Sequence, residues 1–177
     1  MSYLDTIYEF AVDNHYLIST AQAAALDVPP VELAKLAHRG KLENLCRGLY
    51  RLARWVPSNS YEYAEAVARV SDEAYLYGES VIALLGLAPT NPAYVLVAAP
   101  TRVRKALPES IRVKKPAPGD TLAIYEGVAC QHITCALRAA LDSMPKDRVE
   151  AAAREAHTQG YLLKREYEQL KSELGWQ

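Results

Sequence analysis

Along the N-terminal stretch the apolar positions keep a helical rhythm that is broken twice. Leu4, Ile7, Tyr8, Ala11 and Val12 fall at i, i+3, i+4 spacing, and Ser2 is placed to cap the start, which predicts a first helix. Asn14 and His15 interrupt it, and Tyr16, Leu17 and Ile18 form a short extended run. Ser19 and Thr20 then offer a hydroxyl N-cap to the alanine-rich stretch Ala21 to Leu26, a short second helix. Asp27, Val28 and Pro29 turn the chain, because proline disfavours helical geometry in the residue before it, and Pro30 suits the first position of a third helix reaching about Arg39. Gly40, tolerant of left-handed backbone, closes that helix. Leu42 to Cys46 and Leu49 to Leu52 are short alternating segments joined around Arg47 and Gly48, in the manner of a hairpin.

Beyond a polar stretch at Pro57 to Ser60 the pattern changes character. Tyr61 to Val70 reads as an amphipathic helix, and Glu79 to Leu87 as an apolar helix ended by Gly86 and then Pro89. Tyr94 to Ala98 is continuous enough in apolar residues for a strand buried on both faces. Ile111 to Lys114 alternates as a half-exposed strand, with Ile111 and Val113 toward the core and Arg112 and Lys114 outward. Leu122 to Tyr125 and Val128 to Cys130 add sheet, Ile133 to Met144 returns to helix, and two helices, Lys146–Thr158 and Tyr161–Leu174, close the chain around Gly160. The fold class is α+β: residues 1–57 as a helical module with a hairpin, and residues 58–177 as a mixed α/β domain ending in a helical hairpin.

Two helices of seven to ten residues joined by about three is helix-turn-helix spacing, in which the second helix enters the DNA major groove. Leu33, Leu36 and Ala37 make one apolar face of the third helix, which leaves Glu32, Lys35, His38 and Arg39 for solvent or DNA. The following hairpin is a wing whose outward positions include Arg47 and Arg51. Charge supports this. The chain is 177 residues with a net charge of −1, but Lys35, Arg39, Lys41, Arg47, Arg51 and Arg54 face a single local acid, Glu43. A second basic block, Arg102, Arg104, Lys105, Arg112, Lys114 and Lys115, faces only Glu109. Local patches on a near-neutral protein point to localised anionic partners, since fields are screened within about 10 Å at 0.1 M salt. Solvated turns are the plainer alternative.

The run from Leu17 to Leu52 resembles the N-terminal winged-helix domain of AbiEi-family antitoxins. The residues that carry the likeness are Ile18, Thr20, Leu33, Leu36, Gly40, Leu42, Arg47, Gly48, Tyr50 and Leu52. Further along, Ser80 to Leu87, the strand and basic residues from Val95 to Arg102, and Arg138 to Asp142, with Ala139 where the family has threonine, extend it. One departure stands out: Pro29, Pro30, Val31 and Glu32 occupy the start of the third helix, where the family often places polar residues. Modest sequence discrimination by one site is therefore expected.

The resemblance implies an antitoxin and autorepressor that binds double-stranded operator DNA with inverted repeats through Thr20, Lys35, His38, Arg39, Lys41, Arg47 and Arg51. It also implies a cognate nucleotidyltransferase-like toxin, neutralised directly or indirectly by the second domain. Arg102, Arg104, Lys105, Arg112 and Lys114 are the candidate toxin-contacting residues, with a solvated strand edge as the rival reading. A winged-helix regulator with no toxin, and an enzyme acting on nucleic acid through its second domain, are the competing functions.

Catalytic patterns are thin. Cys130, His132 and Cys135 lie within six residues, but a structural zinc site needs four ligands, and neither Cys46 nor His157 has a recognisable partner spacing. Ser80 lacks the second glycine of a nucleophile elbow and is expected to cap a helix. Arg138 and Asp142 stand four apart and are expected to pair. Tyr3, Tyr8, Tyr61 and Tyr63 sit at helical spacings typical of core or interface. No enzyme activity, metal or cofactor is expected. The acidic, aromatic start is unlike a secretory signal, no apolar run is long enough for a membrane span, and the three cysteines read as reduced thiols, so a cytoplasmic protein is expected.

Overall fold

A computed structural model describes all 177 residues. Its N-terminal part holds α1 (Tyr3–Val12), β1 (Leu17–Ser19), α2 (Thr20–Ala25), α3 (Pro30–His38), β2 (Leu42–Cys46) and β3 (Leu49–Leu52). Local chemistry explains the boundaries. Ser2 and Asp5 form a reciprocal capping box on α1, Ser19 and Gln22 form another on α2, and Pro30 occupies the first turn of α3. The three strands pair antiparallel in the order β1-β3-β2, so β3 is central and β2 with β3 makes the wing.

The second part holds α4 (Tyr61–Val70), β4 (Tyr75–Leu76), α5 (Glu79–Leu85), β5 (Val95–Ala98), β6 (Ile111–Lys114), β7 (Leu122–Tyr125), β8 (Val128–Gln131), α6 (Ile133–Ala140), α7 (Lys146–Thr158) and α8 (Lys164–Leu174). Its sheet runs β6-β5-β4-β8-β7 and is mixed: β5 with β6 and β4 with β8 are parallel, the other pairs antiparallel. The class is α+β, a winged helix-turn-helix followed by a mixed α/β domain with a C-terminal helical hairpin.

Alternation along β1 joins the parts. Ile18 points into a small core with Ile7, Ala11, Leu33, Leu36 and Leu52, while its neighbour Leu17 and the wing residue Leu49 point into the large core of the second part. The three-stranded sheet is therefore covered on both faces. Three polar contacts reinforce the junction: Ser19 Oγ donates to Asp72 at 2.9 Å, Arg69 Nη1 to the Leu45 carbonyl at 3.3 Å, and Arg51 Nη1 to the Tyr61 hydroxyl at 2.9 Å.

Several expectations need correction. Val113 is 40% exposed rather than buried, because β6 is an edge strand whose inner face is covered only at Ile111. The sixth helix ends at Ala140, where Leu141, Asp142 and Ser143 each donate to the carbonyl three residues back and turn the chain, and α8 begins at Lys164 because Tyr161 and Leu162 are used to bond the Ala156 carbonyl and close α7. With Asp142 beyond the end of α6, Arg138 instead grips Glu173 of α8 through Nε at 3.1 Å and Nη2 at 2.8 Å. Ser80 caps nothing; it is fully buried and its Oγ accepts from Leu96 N at 2.8 Å, tying α5 to β5. Tyr3 and Tyr8 are 46% and 54% exposed, since α1 buries only Ile7 and Ala11, whereas Tyr61 is buried and Tyr63 half-buried.

Candidate nucleic-acid interface

Helix α3 owes its orientation to Leu33 and Leu36, both buried in the small core. Positions three and four apart share a helix face, so burying that pair turns Val31, Ala34, Lys35 and His38 outward as one stripe. Val31 is 56% exposed, and Ala34, Lys35 and His38 are exposed with it. Lys35 is not a free cation, because Nζ pairs with Glu32 Oε1 at 2.9 Å. Arg39, the C-cap, is exposed just past the stripe. Val31 stands out in the sequence only as an apolar residue where the family often places polar ones, and Ala34 carries no charge or hydrogen-bonding group that would mark it.

The other candidate residues separate into three groups. Arg47 is exposed at the wing tip, in a turn that needs Gly48 at φ +78°. Thr20 lies beneath that turn: its N–H donates to the Gly48 carbonyl at 2.9 Å, and a Cβ on Gly48 would meet the Thr20 hydroxyl at 3.5 Å. Lys41 is exposed but lines a cleft against α1, with Asp5, Tyr8 and Arg54. Arg51 is the surprise. Its side chain is only 13% exposed, it pairs with Glu43, donates to Tyr61, and its guanidinium stacks on Trp55 at 4.1 Å from the ring centroid. It belongs to the junction, leaving Arg47 as the outward cation of the wing. Burial, then the Glu65 carboxylate, push the Tyr61 hydroxyl up to about 12 against the opposing pull of Arg51.

The second basic block also divides. Arg112 stacks on Tyr94 at 4.0 Å and donates to the Glu109 carbonyl, and Arg104 is exposed to solvent. Arg102, Lys105, Lys114 and Lys115 instead surround one cleft.

The side chains considered for catalysis hold structure in place. His132 Nδ1 accepts from Thr134 N and caps α6, His157 bonds the Leu162 carbonyl and stacks on Tyr167, and the Cys130 thiol, fully buried, is pushed up to about 12 by burial. Cys130, His132 and Cys135 do not gather into a metal-binding cluster. No helix is long and apolar enough to cross a membrane.

The family model described as transcriptional regulator, AbiEi antitoxin, matches residues 5–53, the stretch from α1 to the end of the wing. Over these residues the chain is similar to AbiEi-type transcriptional regulators. The AbiEi match thus falls on the helix-turn-helix and wing, on the same residues that carry the outward stripe of α3 and the wing tip. No curated protein matches the chain.

Proposed function

We propose that the chain is an antitoxin and transcriptional autorepressor of a toxin–antitoxin operon, and that it acts by binding rather than catalysis. Residues 1–57 bind promoter DNA, with Lys35, His38, Arg39 and Arg47 facing the duplex. Residues 58–177 neutralise a nucleotidyltransferase-like toxin, with Arg102, Arg104, Lys105, Arg112 and Lys114 contacting the toxin or its substrate. The observation that carries this reading is the coincidence of the AbiEi match at residues 5–53 with a solvent-facing stripe on the second helix of the helix-turn-helix pair. Arg39 and Arg47 supply phosphate contacts, while Val31 and Ala34 place methyl groups where other recognition helices place hydrogen-bonding side chains.

The test is co-expression with the neighbouring gene product, scored for growth, alongside gel shifts on the upstream promoter. Charge reversal at Arg102, Arg104, Lys105 and Lys114 abolishes growth rescue while promoter binding stays within about threefold of wild type, a change of less than about 1 kcal/mol. Rescue that survives reversal makes the block a solvated edge, and promoter binding without any rescue by the wild-type chain makes the protein a regulator without a toxin.

A further inference from the structure

The parallel strands β5 and β6 end side by side, with Ala99 N donating to the Lys114 carbonyl at 3.2 Å. At these strand ends lies a cleft of about 770 Å³, within the range of roughly 300–1,000 Å³ usual for small-molecule sites. The crossover between the two strands contains no helix, and its irregular chain forms the cleft wall.

The lining has two kinds of surface. Arg102, Lys105, Lys114 and Lys115 contribute cations, and no carboxylate lines the cleft. None of the four takes part in an ion pair anywhere in the molecule. Four unneutralised cations around one cavity repel one another, and a multiply charged anion relieves that repulsion. Edge protection accounts for Lys114 on β6, but not for Arg102, Lys105 and Lys115, which lie outside the strand. Beside the cations, Val103, Leu107 and Val113 form an apolar floor, and Val113 is the residue whose alternation predicts burial but whose side chain stays 40% exposed. A charged rim with an uncovered aliphatic floor suits a ligand that joins a polyanion to a flat apolar ring.

We propose that this cleft binds a nucleoside phosphate, with the phosphates on Arg102, Lys105, Lys114 and Lys115 and the base against Val103 and Val113. This deepens the reading of the basic block as a neutralising surface, but the binding itself requires no toxin. The ligand has two possible sources, a free nucleoside triphosphate or the terminal nucleotide of an RNA strand.

The full-length protein is titrated calorimetrically with the four ribonucleoside triphosphates, inorganic tripolyphosphate, unphosphorylated nucleosides and a short single-stranded RNA. Nucleoside triphosphate binds, tripolyphosphate binds more weakly, and nucleosides give no heat. Lys105→Ala with Lys115→Ala, and separately Val113→Asp, weaken triphosphate binding at least about tenfold. All three positions are exposed, and an unchanged melting curve confirms that each variant is folded. RNA binding tighter than any triphosphate, lost in the same variants, supports the site and identifies the strand end as its source. The proposal is overturned by no binding of any phosphate ligand, by folded variants that bind like wild type, or by tripolyphosphate binding as tightly as the nucleotides. Because toxin is absent from these titrations, they can fail while growth rescue succeeds, and the reverse.

Discussion

Arg51 and Tyr61 are hydrogen bonded, Nη1 to hydroxyl at 2.9 Å, and this contact ties β3, the central strand of the N-terminal sheet, to the first helix of the second part. The guanidinium also pairs with Glu43 and lies over Trp55, while Trp55 and Tyr61 pack with ring centroids 4.4 Å apart. A planar fork with several simultaneous partners is a role that a lysine ammonium cannot fill.

Two arginines of one hairpin therefore have opposite signatures. Arg51→Ala lowers stability by roughly 2–3 kcal/mol, as expected when a mostly buried, hydrogen-bonded charge loses its place, and Arg51→Lys recovers little of it. Arg47→Ala leaves the melting temperature nearly unchanged but reduces the slope of log affinity against log salt by about 0.9, the loss of one phosphate contact. Thermal melts and promoter gel shifts across a salt series check both. An Arg51→Ala protein with wild-type stability and a reduced salt slope would move this residue back to the DNA surface.

Alkaline titration probes the same junction. Tyr61 is held neutral up to about 12, and Tyr75 and Tyr125 are also raised, each first by burial. A raised pKa in the folded state means that folding holds the tyrosine neutral where the unfolded chain would ionise. The tyrosine contribution to stability is therefore full below the ordinary value near 10 and is withdrawn as pH rises toward the folded value. Stability is thus level up to about pH 9, begins to fall there because the buried Cys130 thiol is also raised to about 12, and falls further between about 10 and 12 as the tyrosines of the unfolded chain ionise, followed by tyrosinate absorbance and circular dichroism together. In Tyr61→Phe the fall begins from a lower stability, since the Arg51 donor loses its acceptor, but the part of the alkaline slope due to residue 61 disappears.

The sequence was most legible where one local rule decided the outcome. Pro30 starting α3, Ser19 capping α2, and Arg47-Gly48 turning the wing are each readable from a few neighbouring residues. The face of α3 was readable too, because Leu33 and Leu36 can satisfy only one core. Arg51 was not, since a charged residue in a short alternating strand looks outward until Trp55 and Tyr61, which lie further along the chain, are known to fold against it. Val113 failed for a related reason: alternation predicts which residues share a face, not whether anything covers that face. Arg138 found Glu173 rather than Asp142 because α6 stops at Ala140 and Asp142 lies in the turn that follows.

A further contact across the junction lies between the β7–β8 turn and the corner after α1. Gly127 has φ +72°, and a Cβ there would lie 2.9 Å from Nε2 of His15, itself in left-handed backbone at φ 55°. Gly127→Ala therefore costs about 2 kcal/mol, part from the backbone and part from displacing the imidazole. In a His15→Ala background only the backbone part, about 1 kcal/mol, remains. Denaturant unfolding of the four proteins measures the coupling, and strictly additive effects would show that turn and corner do not touch in solution.

The composition of the outward stripe on α3 has a consequence for which bases it reads. Val31 is 56% exposed, Ala34 is exposed, and the Lys35 ammonium is held by Glu32, so methyl groups dominate the N-terminal end of the stripe, with His38 exposed at its other end. The major-groove feature that an aliphatic side chain recognises is the thymine 5-methyl, whereas guanine and adenine are read by paired hydrogen bonds. Promoter DNA prepared with uracil in place of thymine keeps its Watson–Crick pairing and its phosphates but lacks those methyls. Wild-type protein binds the uracil promoter about threefold to tenfold more weakly, a loss of roughly 0.7–1.4 kcal/mol. Val31→Ser binds the thymine promoter with similarly reduced affinity and no longer distinguishes it from the uracil form, while its salt dependence matches wild type because no phosphate contact has changed. Equal binding of wild type to both promoters would remove Val31 from the base-reading surface and leave affinity to Arg39, Arg47 and the phosphate backbone.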